Sequence, residues 1–455
     1  MRAKACAKCT ALVVLPVPPF SMANATRFII APYKGGPGQY PSIPHMLVGQ
    51  YNGSLPRMSS SPFWAFPRDQ LWYRRTGHWN KRIRPPGFSG SSGSTMRETH
   101  SVATIILDRS EELRRALAEE LAREADMEVA EVVADPVRLL TSLEKRHVDV
   151  VILDVSVPGA VGTLNDMRKL SRAHPDRPEM GVVLVARRTS ADAALAIEGL
   201  EAGAFDVVLR PGTTDLESSV ASLARQLRVK VRHFSSKRLI SSMPGDERRP
   251  GPVEASVPIA KRTTRFRAVL VGGSTGAPKV LAHILPEICE ATTLPVLIAQ
   301  HMPEKFTSFL AASLDGKCRH KAAEAVHGEP LEPGRIYVAP GGKHLSLEFG
   351  TPSPTLAVND EPPINGFRPS VDYLFASAAK VLGRDVLALI LTGMGNDGLS
   401  GTYEIKGAGG CVVAQDEATS VVWGMPGAVA NAGLADRVLD YKEIAGTVNG
   451  LVGGR

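Results

Sequence analysis

The feature that most constrains the fold of this chain is the alternation of short apolar runs with helical stretches from Ser101 onward. Each run has four to six residues and is rich in Val, Ile, Leu and Ala. Runs of this kind, separated by helices, indicate parallel strands that helices cover on both faces. The runs fall at residues 103–107, 128–133, 148–153, 181–185, 205–209, 268–271, 295–299, 336–339, 386–391 and 411–414.

The stretch after the first run shows the helical pattern most clearly. Ser110 is a suitable N-cap, and acidic residues follow it in the first turn, where the helix dipole favours them. Leu113, Leu117 and Leu121 then recur at helical spacing. The sequence therefore predicts a helix that packs its leucine face against the sheet.

The runs divide into two groups, which predicts two α/β domains. The first group lies in residues 101–230, and five strands in about 110 residues fit the flavodoxin-like strand order. Residues 213–234 read as the last helix of this domain. Residues 231–264 are rich in Pro, Gly, Ser, Lys and Arg without a period, which predicts a linker. Residues 265–455 are predicted to form a second domain around a doubly wound parallel sheet.

Residues 1–95 differ from the rest of the chain in composition. They are rich in Pro, Gly, Ser and Arg, and no helical or strand period persists in them. The sequence predicts a disordered extension, and a start at Met96 is an alternative. A basic then apolar beginning resembles a signal peptide, but three prolines between Ala11 and Phe20 argue against that reading.

The charge of the chain is unevenly distributed. The formal net charge is +7, but residues 1–95 hold 12 Lys and Arg against one acid, Asp69, so the remaining residues sum to −4. A balance of this kind gives no electrostatic reason to expect nucleic-acid binding. The sequence also lacks the run of about 18 apolar residues that a membrane helix needs, so we expect no membrane insertion.

The five cysteines stand at positions 6, 9, 289, 318 and 411. They form no disulfide framework, which fits a reducing compartment. Cys6 and Cys9 make a single CxxC without a second pair or a histidine partner, so neither a metal site nor a redox role is predicted for them.

Three polar residues follow predicted strands of the second domain. Ser274 stands after two glycines, between a strand and a helix, and matches neither a dinucleotide loop nor a phosphate-binding P-loop. His301 ends the next strand, and Asp397 lies in a glycine-rich turn after a later one. Each feature has an ordinary structural explanation when it is taken alone.

The joint arrangement is more informative. The carboxyl ends of parallel strands share one edge of the sheet, where open α/β sheets place their ligands. A catalytic triad needs a nucleophile, a base that takes its proton and an acid that orients the base. The sequence therefore predicts a serine hydrolase with Ser274, His301 and Asp397 as its triad, in a chain order that differs from those of the common serine hydrolases.

At this level of detail the sequence resembles the CheB family, the chemotaxis protein-glutamate methylesterases with an N-terminal receiver domain. The resemblance covers about residues 102–455. The segments that carry it are VGGSTG at 271–276, QHMP at 300–303, YVAPG at 337–341, RPSVD at 368–372, LTGMGNDG at 391–398, AQDE at 414–417 and WGMP at 423–426.

The resemblance implies a substrate, partners and a mechanism. Family members hydrolyse γ-methyl esters of glutamates on the cytoplasmic helices of methyl-accepting chemoreceptors, and many deamidate glutamines there. The resemblance assigns Ser274 as nucleophile, His301 as general base and acid, and Asp397 as the orienting carboxylate, with no cofactor for catalysis. We add the backbone N–H groups of Thr275 and Met394 as oxyanion candidates. A chemotaxis histidine kinase is the implied phosphodonor, and the cytoplasm the implied location.

The receiver half departs from the family pattern around its phosphorylation site. Asp154 stands where the phospho-accepting aspartate belongs, and Asp108 is one of the two acids that normally hold Mg²⁺. The second acid is replaced by Arg109, which we expect to place a positive charge at the metal position. The fourth strand ends in Ala186 instead of a hydroxyl residue, and the fifth in Arg210 instead of lysine. Because phosphoryl transfer to a receiver needs Mg²⁺, this degenerate pocket weakens the prediction of phosphorylation at Asp154.

Two other functions remain open from the sequence. One is a binding or scaffold protein of a chemosensory array, whose receiver no longer switches. The other is a related hydrolase that acts on a different protein ester. The complete set of Ser274, His301 and Asp397 favours an active methylesterase over a scaffold.

Overall fold

The structure is a computed structural model, and it describes residues 11–16, 26–33, 47–51, 71–75, 78–81, 101–174, 180–212, 215–242 and 266–452. Its backbone contacts divide the chain into two units, Met1–Arg97 and Glu98–Arg455.

The first unit contains strand segments, which differs from the expectation of no regular structure before residue 96. They form one antiparallel sheet in sequential order. The segments are rich in β-branched, leucine and aromatic residues, which favour strands, whereas the sequence-based expectation gave more weight to the many prolines and glycines between them. The prediction that this part of the chain is a separate extension stays a prediction. The strands are β1 (Ala11–Pro16), β2 (Thr26–Tyr33), β3 (Leu47–Tyr51), β4 (Leu71–Arg75) and β5 (His78–Lys81).

The first α/β domain has the predicted architecture. Its five strands are all parallel and lie in the order β10-β9-β8-β6-β7, which is the flavodoxin-like order. The strands are β6 (Val102–Leu107), β7 (Met127–Val133), β8 (Val150–Asp154), β9 (Gly181–Ala186) and β10 (Asp206–Leu209). The helices are α1 (Glu111–Ala122), α2 (Pro136–Lys145), α3 (Thr163–Ala173), α4 (Ser190–Glu201) and α5 (Leu216–Ser242).

Helix α1 begins as the sequence predicts. The hydroxyl of Ser110 accepts a hydrogen bond from the N–H of Leu113, and the three leucines of its apolar face are buried. Helix α5 is longer than predicted and extends to Ser242, into the segment assigned to the linker. The reason is that no proline or glycine interrupts the chain before Pro244, so nothing local ends the helix at residue 234.

The second α/β domain is built on one larger parallel sheet. Its seven strands lie in the order β13-β14-β12-β11-β17-β18-β19, and a two-stranded hairpin of β15 and β16 stands beside it. The strands are β11 (Ala268–Gly273), β12 (Val296–Gln300), β13 (Lys321–Glu324), β14 (Arg335–Val338), β15 (His344–Glu348), β16 (Thr355–Asn359), β17 (Val386–Ile390), β18 (Cys411–Gln415) and β19 (Arg437–Leu439). The helices are α6 (Ala277–Ala291), α7 (Phe306–Asp315), α8 (Val371–Leu382), α9 (Leu399–Gly407), α10 (Met425–Asn431) and α11 (Tyr441–Val452).

The central strand β11 is buried on both faces. Val269 and Val271 belong to one hydrophobic cluster, and Ala268 and Leu270 belong to another. The chain runs from β11 to one side of the sheet through β12, and later returns to its other side through β17. The strand order therefore reverses between β11 and β17, and the crevice at their carboxyl ends is where such sheets bind ligands.

Within the second unit, the two α/β domains pack directly on each other. Helix α4 of the first domain lies against α6 and α7 of the second, and their buried apolar residues belong to one continuous cluster. At the edge of this contact, the carboxylate of Glu201 accepts hydrogen bonds from the hydroxyl of Ser313 and from the ammonium group of Lys317, both at 2.6 Å.

The sequence-based expectations about membrane helices and cysteines can be compared with the described residues. No helix in the described part of the structure is long and apolar enough to cross a membrane. Cys289, Cys318 and Cys411 are free thiols, as the absence of a disulfide pattern predicts. Cys6 and Cys9 lie outside the described residues.

Candidate active site

Ser274 lies where the sequence predicts it, between a buried strand and a helix. It follows the last residue of β11 directly, and α6 begins three residues later. Its N–H donates to the carbonyl of Thr392 at 3.1 Å, and its own carbonyl accepts from the N–H of Ala277 at 3.1 Å. Gly276 has a φ of 81°, a left-handed conformation that suits glycine and makes the turn tight. Ser274 is thereby fixed, half-buried, at the carboxyl edge of the sheet.

Gly393 is a residue beside Ser274 that the sequence reasoning did not single out. A Cβ atom built on Gly393 would lie only 2.9 Å from the Cβ of Ser274 and 2.3 Å from the sulfur of Met425. A side chain is therefore excluded at this position. The glycine lets the backbone that leads to Met394 approach Ser274, and its position in a glycine-rich turn after a strand was the available signal.

His301 lies just past the end of β12, and several contacts fix its ring. Its backbone N–H donates to the carbonyl of Gly273 at 3.0 Å. Its Nε2 hydrogen bonds to Oδ2 of Asp397 at 2.7 Å, and the ring of Phe367 stacks on it with centroids 4.0 Å apart and planes 8° from parallel. The other ring nitrogen, Nδ1, is buried and has no hydrogen-bond partner, and within residues 266–452 no hydrogen bond joins it to Ser274.

Asp397 is the most completely bound carboxylate of this site. It is 1% exposed. It belongs to the turn after β17, and its side chain lies against the N-terminus of α8. Oδ1 accepts from the hydroxyl of Ser370 at 2.9 Å and from the N–H groups of Asp372 at 3.0 Å and Gly398 at 3.1 Å. Oδ2 accepts from the N–H of Val371 at 2.7 Å, in addition to its bond with the histidine ring. The helix N-terminus supplies both N–H donors and a favourable dipole.

These contacts determine the ionisation of Asp397. Burial alone raises its pKa, but the hydrogen bond and charge of His301, with the N–H groups of Asp372 and Val371, hold the pKa below its usual value. Asp397 is therefore a carboxylate at neutral pH. It can orient the imidazole and stabilise a positive charge on it.

Three buried polar side chains brace the loops of the site, and the sequence reasoning assigned no role to them. The amide of Gln300 donates to the carbonyl of Ser274 at 2.9 Å. The hydroxyl of Thr392 donates to the carbonyl of Thr275 at 3.0 Å, and the N–H of Thr392 donates to the side-chain oxygen of Gln415 at 2.8 Å. They belong to segments that carry the family resemblance, which is the only sequence signal for them.

A cavity of about 460 Å³ opens in front of the site, and both α/β domains line it. Ser274 and His301 face it from the second domain, and Asp206 and Lys230 face it from the first. The two domains are also bonded here, because the hydroxyl of Thr275 donates to the carboxylate of Asp206, which in turn pairs with the ammonium group of Lys230 at 2.6 Å. The residue after Ser274 is thus held by the first domain.

The predicted acid pocket of the first domain forms a separate site. Asp154 ends β8 and Asp108 follows β6, and both are buried side by side at the carboxyl edge of that sheet. Arg109 does not enter the pocket as expected but is exposed, and Arg210 contacts both carboxylates instead. The reason is that Arg109 starts the loop that leads to α1 and faces solvent, whereas Arg210 follows β10 at the pocket edge. Phosphorylation of Asp154 stays a prediction.

Asp372 is a second buried acid next to Asp397. Its Oδ1 accepts from the N–H groups of Gly398 at 2.9 Å and Gly401 at 2.8 Å, so it links α8 to the start of α9. Burial raises the pKa of Asp372 to about 6, the N–H groups of the two glycines oppose that shift, and the nearby Asp397 carboxylate adds to it.

The raised pKa of Asp372 predicts a pH dependence of stability. Between about pH 4 and pH 6 the folded protein holds a proton that the unfolded chain has lost, so this residue lowers the free energy of unfolding as the pH rises through that window. Asp372→Asn retains the acceptor oxygen and cannot ionise. Relative to the wild type, the variant should gain on the order of 1–3 kcal/mol in unfolding free energy between about pH 4 and pH 7.5.

Urea unfolding of the full chain at both pH values measures this difference. Asp360→Asn is the matched control, because the Asp360 side chain is 70% exposed. A constant difference between Asp372→Asn and the wild type at the two pH values would contradict the prediction.

Comparison with known proteins places this chain in a family. The family model for CheB methylesterase matches residues 269–448, and that for the response regulator receiver domain matches residues 104–221. The chain is 35% identical to a protein-glutamate methylesterase/protein-glutamine glutaminase of group 2 operon from Bradyrhizobium diazoefficiens, over 81% of this chain and 98% of that protein. It is 39% identical to protein-glutamate methylesterase/protein-glutamine glutaminase 2 of Caulobacter vibrioides, over 75% of this chain and 96% of that protein.

Among solved structures, the chain is similar to the CheB methylesterase catalytic domain of Thermotoga maritima. The identity is 38%, the match covers 42% of this chain and 100% of that domain, and the TM-score is 0.40. The match to the full-length relatives covers most of both chains, and it is sufficient by itself to show the family. The chain belongs to the CheB family of protein-glutamate methylesterases/protein-glutamine glutaminases, hydrolases with a receiver domain ahead of the catalytic domain.

Proposed function

We propose that this chain hydrolyses γ-methyl esters of glutamate side chains, and deamidates glutamine side chains, on the cytoplasmic helices of methyl-accepting chemoreceptors. The observation that carries the proposal is the buried His301–Asp397 pair, whose imidazole faces the same cavity as Ser274. A hydrolase of this kind requires a nucleophile and an oriented base that open on the same space, and a scaffold does not. The relatives carry both activities in their names, which supports the substrate class.

The proposed reaction begins with attack by the Ser274 hydroxyl oxygen on the ester carbonyl. His301 accepts the hydroxyl proton at Nδ1, the nitrogen without a partner, while Asp397 stabilises the imidazolium through Nε2. The protonated ring then gives that proton to the leaving methoxide, methanol departs, and the glutamyl group stays as an ester on Ser274. Water, deprotonated by His301, attacks this ester, the ring returns the proton to the leaving oxygen of Ser274, and the free glutamate side chain is released. With glutamine, ammonia takes the place of methanol.

The tetrahedral intermediate carries a negative charge on oxygen that needs hydrogen-bond donors. We propose the N–H groups of Thr275 and Met394 for this role. Thr275 directly follows Ser274 in the turn before α6, and Gly393 brings the backbone next to Met394 against Ser274. Since one donor of this kind contributes roughly 10²–10³ in rate, a side chain at Gly393 that displaced this backbone would slow the reaction strongly.

The receiver domain is proposed to regulate this site by covering it. A receptor helix is about 10–12 Å across with its side chains, and it needs open space in front of Ser274. In the structure that space is bounded by receiver residues, and Asp206 is bonded to Thr275. The packed arrangement is therefore an inhibited state, and the receiver must move before a substrate helix binds. A chemotaxis histidine kinase is the proposed phosphodonor of the receiver, although Ala186 and Arg210 at the pocket should make the effect of phosphorylation on that movement small.

Removal of the nucleophile tests the triad. Ser274→Ala should abolish methanol release from a methylated receptor while the melting temperature stays close to that of the wild type, because only one hydroxyl oxygen is lost. His301→Ala should be nearly as severe, since the members of a triad act as a unit. Ser400→Ala, at an exposed position of α9, is the control and should retain full activity.

The rates of these variants decide the assignment. If Ser274→Ala retains more than about a tenth of the wild-type rate, Ser274 is not the nucleophile. If the wild type releases no methanol from the receptor but hydrolyses another protein ester, the triad stands and the proposed substrate is wrong.

Regulation is tested by comparing four rates: those of the full chain without and with a phosphodonor, of residues 263–455 alone, and of Asp206→Ala in the full chain. A small phosphodonor with Mg²⁺ should raise the rate of the full chain little, because Ala186 and Arg210 replace the hydroxyl and lysine that hold a phosphoryl group in the receiver pattern. A chain of residues 263–455 alone should be several-fold faster, since its cavity is uncovered. Asp206→Ala in the full chain should lie between them, because it removes one contact between the domains.

Two results would argue against this view of regulation. A full-length rate that the phosphodonor raises to that of residues 263–455 would show that the receiver switches normally. Equal rates for all these proteins would show that the receiver does not inhibit, and docking or targeting would then be its better explanation.

A further inference from the structure

The acid pocket of the receiver domain contains its own cation. Arg210 directly follows β10, and its Nη2 donates to Oδ2 of Asp154 at 2.6 Å and to Oδ2 of Asp108. Both aspartates are nearly inaccessible, with exposed fractions of 4% and 5%. One guanidinium group thus bridges two buried carboxylates that come from two different strand ends.

The remaining carboxylate oxygens of the pocket are also occupied. Oδ1 of Asp108 accepts from the N–H of Ser110 at 2.7 Å, and Oδ1 of Asp154 accepts from the N–H of Ser156 at 2.8 Å. All four oxygens therefore have a hydrogen-bond donor from the protein. The two serine N–H groups belong to the chain just after each aspartate, so these bonds fix the carboxylates toward Arg210.

This arrangement does not fit the Mg²⁺ ion that the receiver pattern implies. Mg²⁺ needs oxygen ligands at about 2.0–2.1 Å in near-octahedral geometry. The oxygens that point toward the centre of the pocket already bind a guanidinium, and a magnesium ion between them would lie against a fixed positive charge. The second acid of the pattern is replaced by the exposed Arg109. In the described ranges of the chain, no group of three or more His, Cys, Asp or Glu is placed to hold a metal.

The other arginine near the pocket does not compete for this position. Arg187 follows β9 and binds the buried Asp192 with two side-chain hydrogen bonds, at 2.8 Å and 2.9 Å. Its charge is thereby committed to the start of α4. Arg210 is the arginine that contacts both pocket acids.

We infer that Arg210 is a permanent internal cation that replaces the divalent metal of this receiver. The two pocket carboxylates therefore stay bridged by a cation without Mg²⁺. Arg210 directly follows the short strand β10, whose first residue, Asp206, binds Thr275 beside the proposed nucleophile. The guanidinium bridge therefore anchors the strand that holds the catalytic domain, and this anchoring does not depend on metal.

Manganese binding to the full-length protein tests the inference, with Mn²⁺ as a spectroscopic substitute for Mg²⁺ and free Mn²⁺ measured by electron paramagnetic resonance. The wild type should show no saturable binding that depends on Asp154. Arg109→Asp combined with Arg210→Lys restores the acid and the lysine of the receiver pattern, and it should show saturable Mn²⁺ binding that is at least roughly tenfold tighter than any residual binding by the wild type. Saturable binding by the wild type that Asp154→Asn abolishes would overturn the inference.

Thermal unfolding supplies a second readout that does not require the double variant to bind metal. Arg210→Ala should melt roughly 4 °C or more below Arg115→Ala, because it leaves two buried carboxylates without a cation, whereas Arg115 only pairs with Glu111 on the surface. Added Mg²⁺ should leave the wild-type melting temperature unchanged. Equal melting of the two variants, or a wild-type melting temperature that rises with Mg²⁺, would show that Arg210 does not take the place of the metal. Neither readout depends on esterase activity.

Discussion

The carboxylate of Asp397 connects the parts of the catalytic domain that must act together. It accepts N–H and hydroxyl donors from the start of α8, it lies in the turn after β17, and it binds the histidine that follows β12. A buried carboxylate without partners costs several kcal/mol, so the fold holds it only where donors are already arranged. The same donors keep it ionised, and the ionised Asp397 accepts the hydrogen bond that orients the His301 ring.

A second connection runs through the receiver domain along one short strand. Strand β10 begins at Asp206, which binds the residue after Ser274, and it leads directly to Arg210, which bridges the receiver acids. A change at the acid pocket has only four residues to cross before it reaches the catalytic loop. This short path is the route by which the proposed regulation would reach the site, and we expect the guanidinium bridge to limit movement along it.

Much of this could be predicted from the sequence, and the exceptions have physical reasons. The apolar runs of Val, Ile and Leu predict both parallel sheets, because the length and spacing of such runs can be read from neighbouring residues in the sequence. They also predict that Ser274, His301 and Asp397 follow strands that share an edge. The pairing of Arg210 with both pocket acids, and the exposure of Arg109, depend on loop paths that no local pattern encodes. The stacking of the Phe367 ring on His301 and the close approach of Gly393 to Ser274 also depend on loop paths.

In the proposed reaction Ser274 carries the glutamyl group as a covalent ester. The direct measurement is acid quenching of the full-length enzyme during turnover of a receptor peptide with a glutamate γ-methyl ester, followed by peptide mass spectrometry. We expect a covalent adduct on Ser274 whose mass equals that of the peptide minus methanol. Methanol release during which the adduct forms on another residue, or on none, would contradict it.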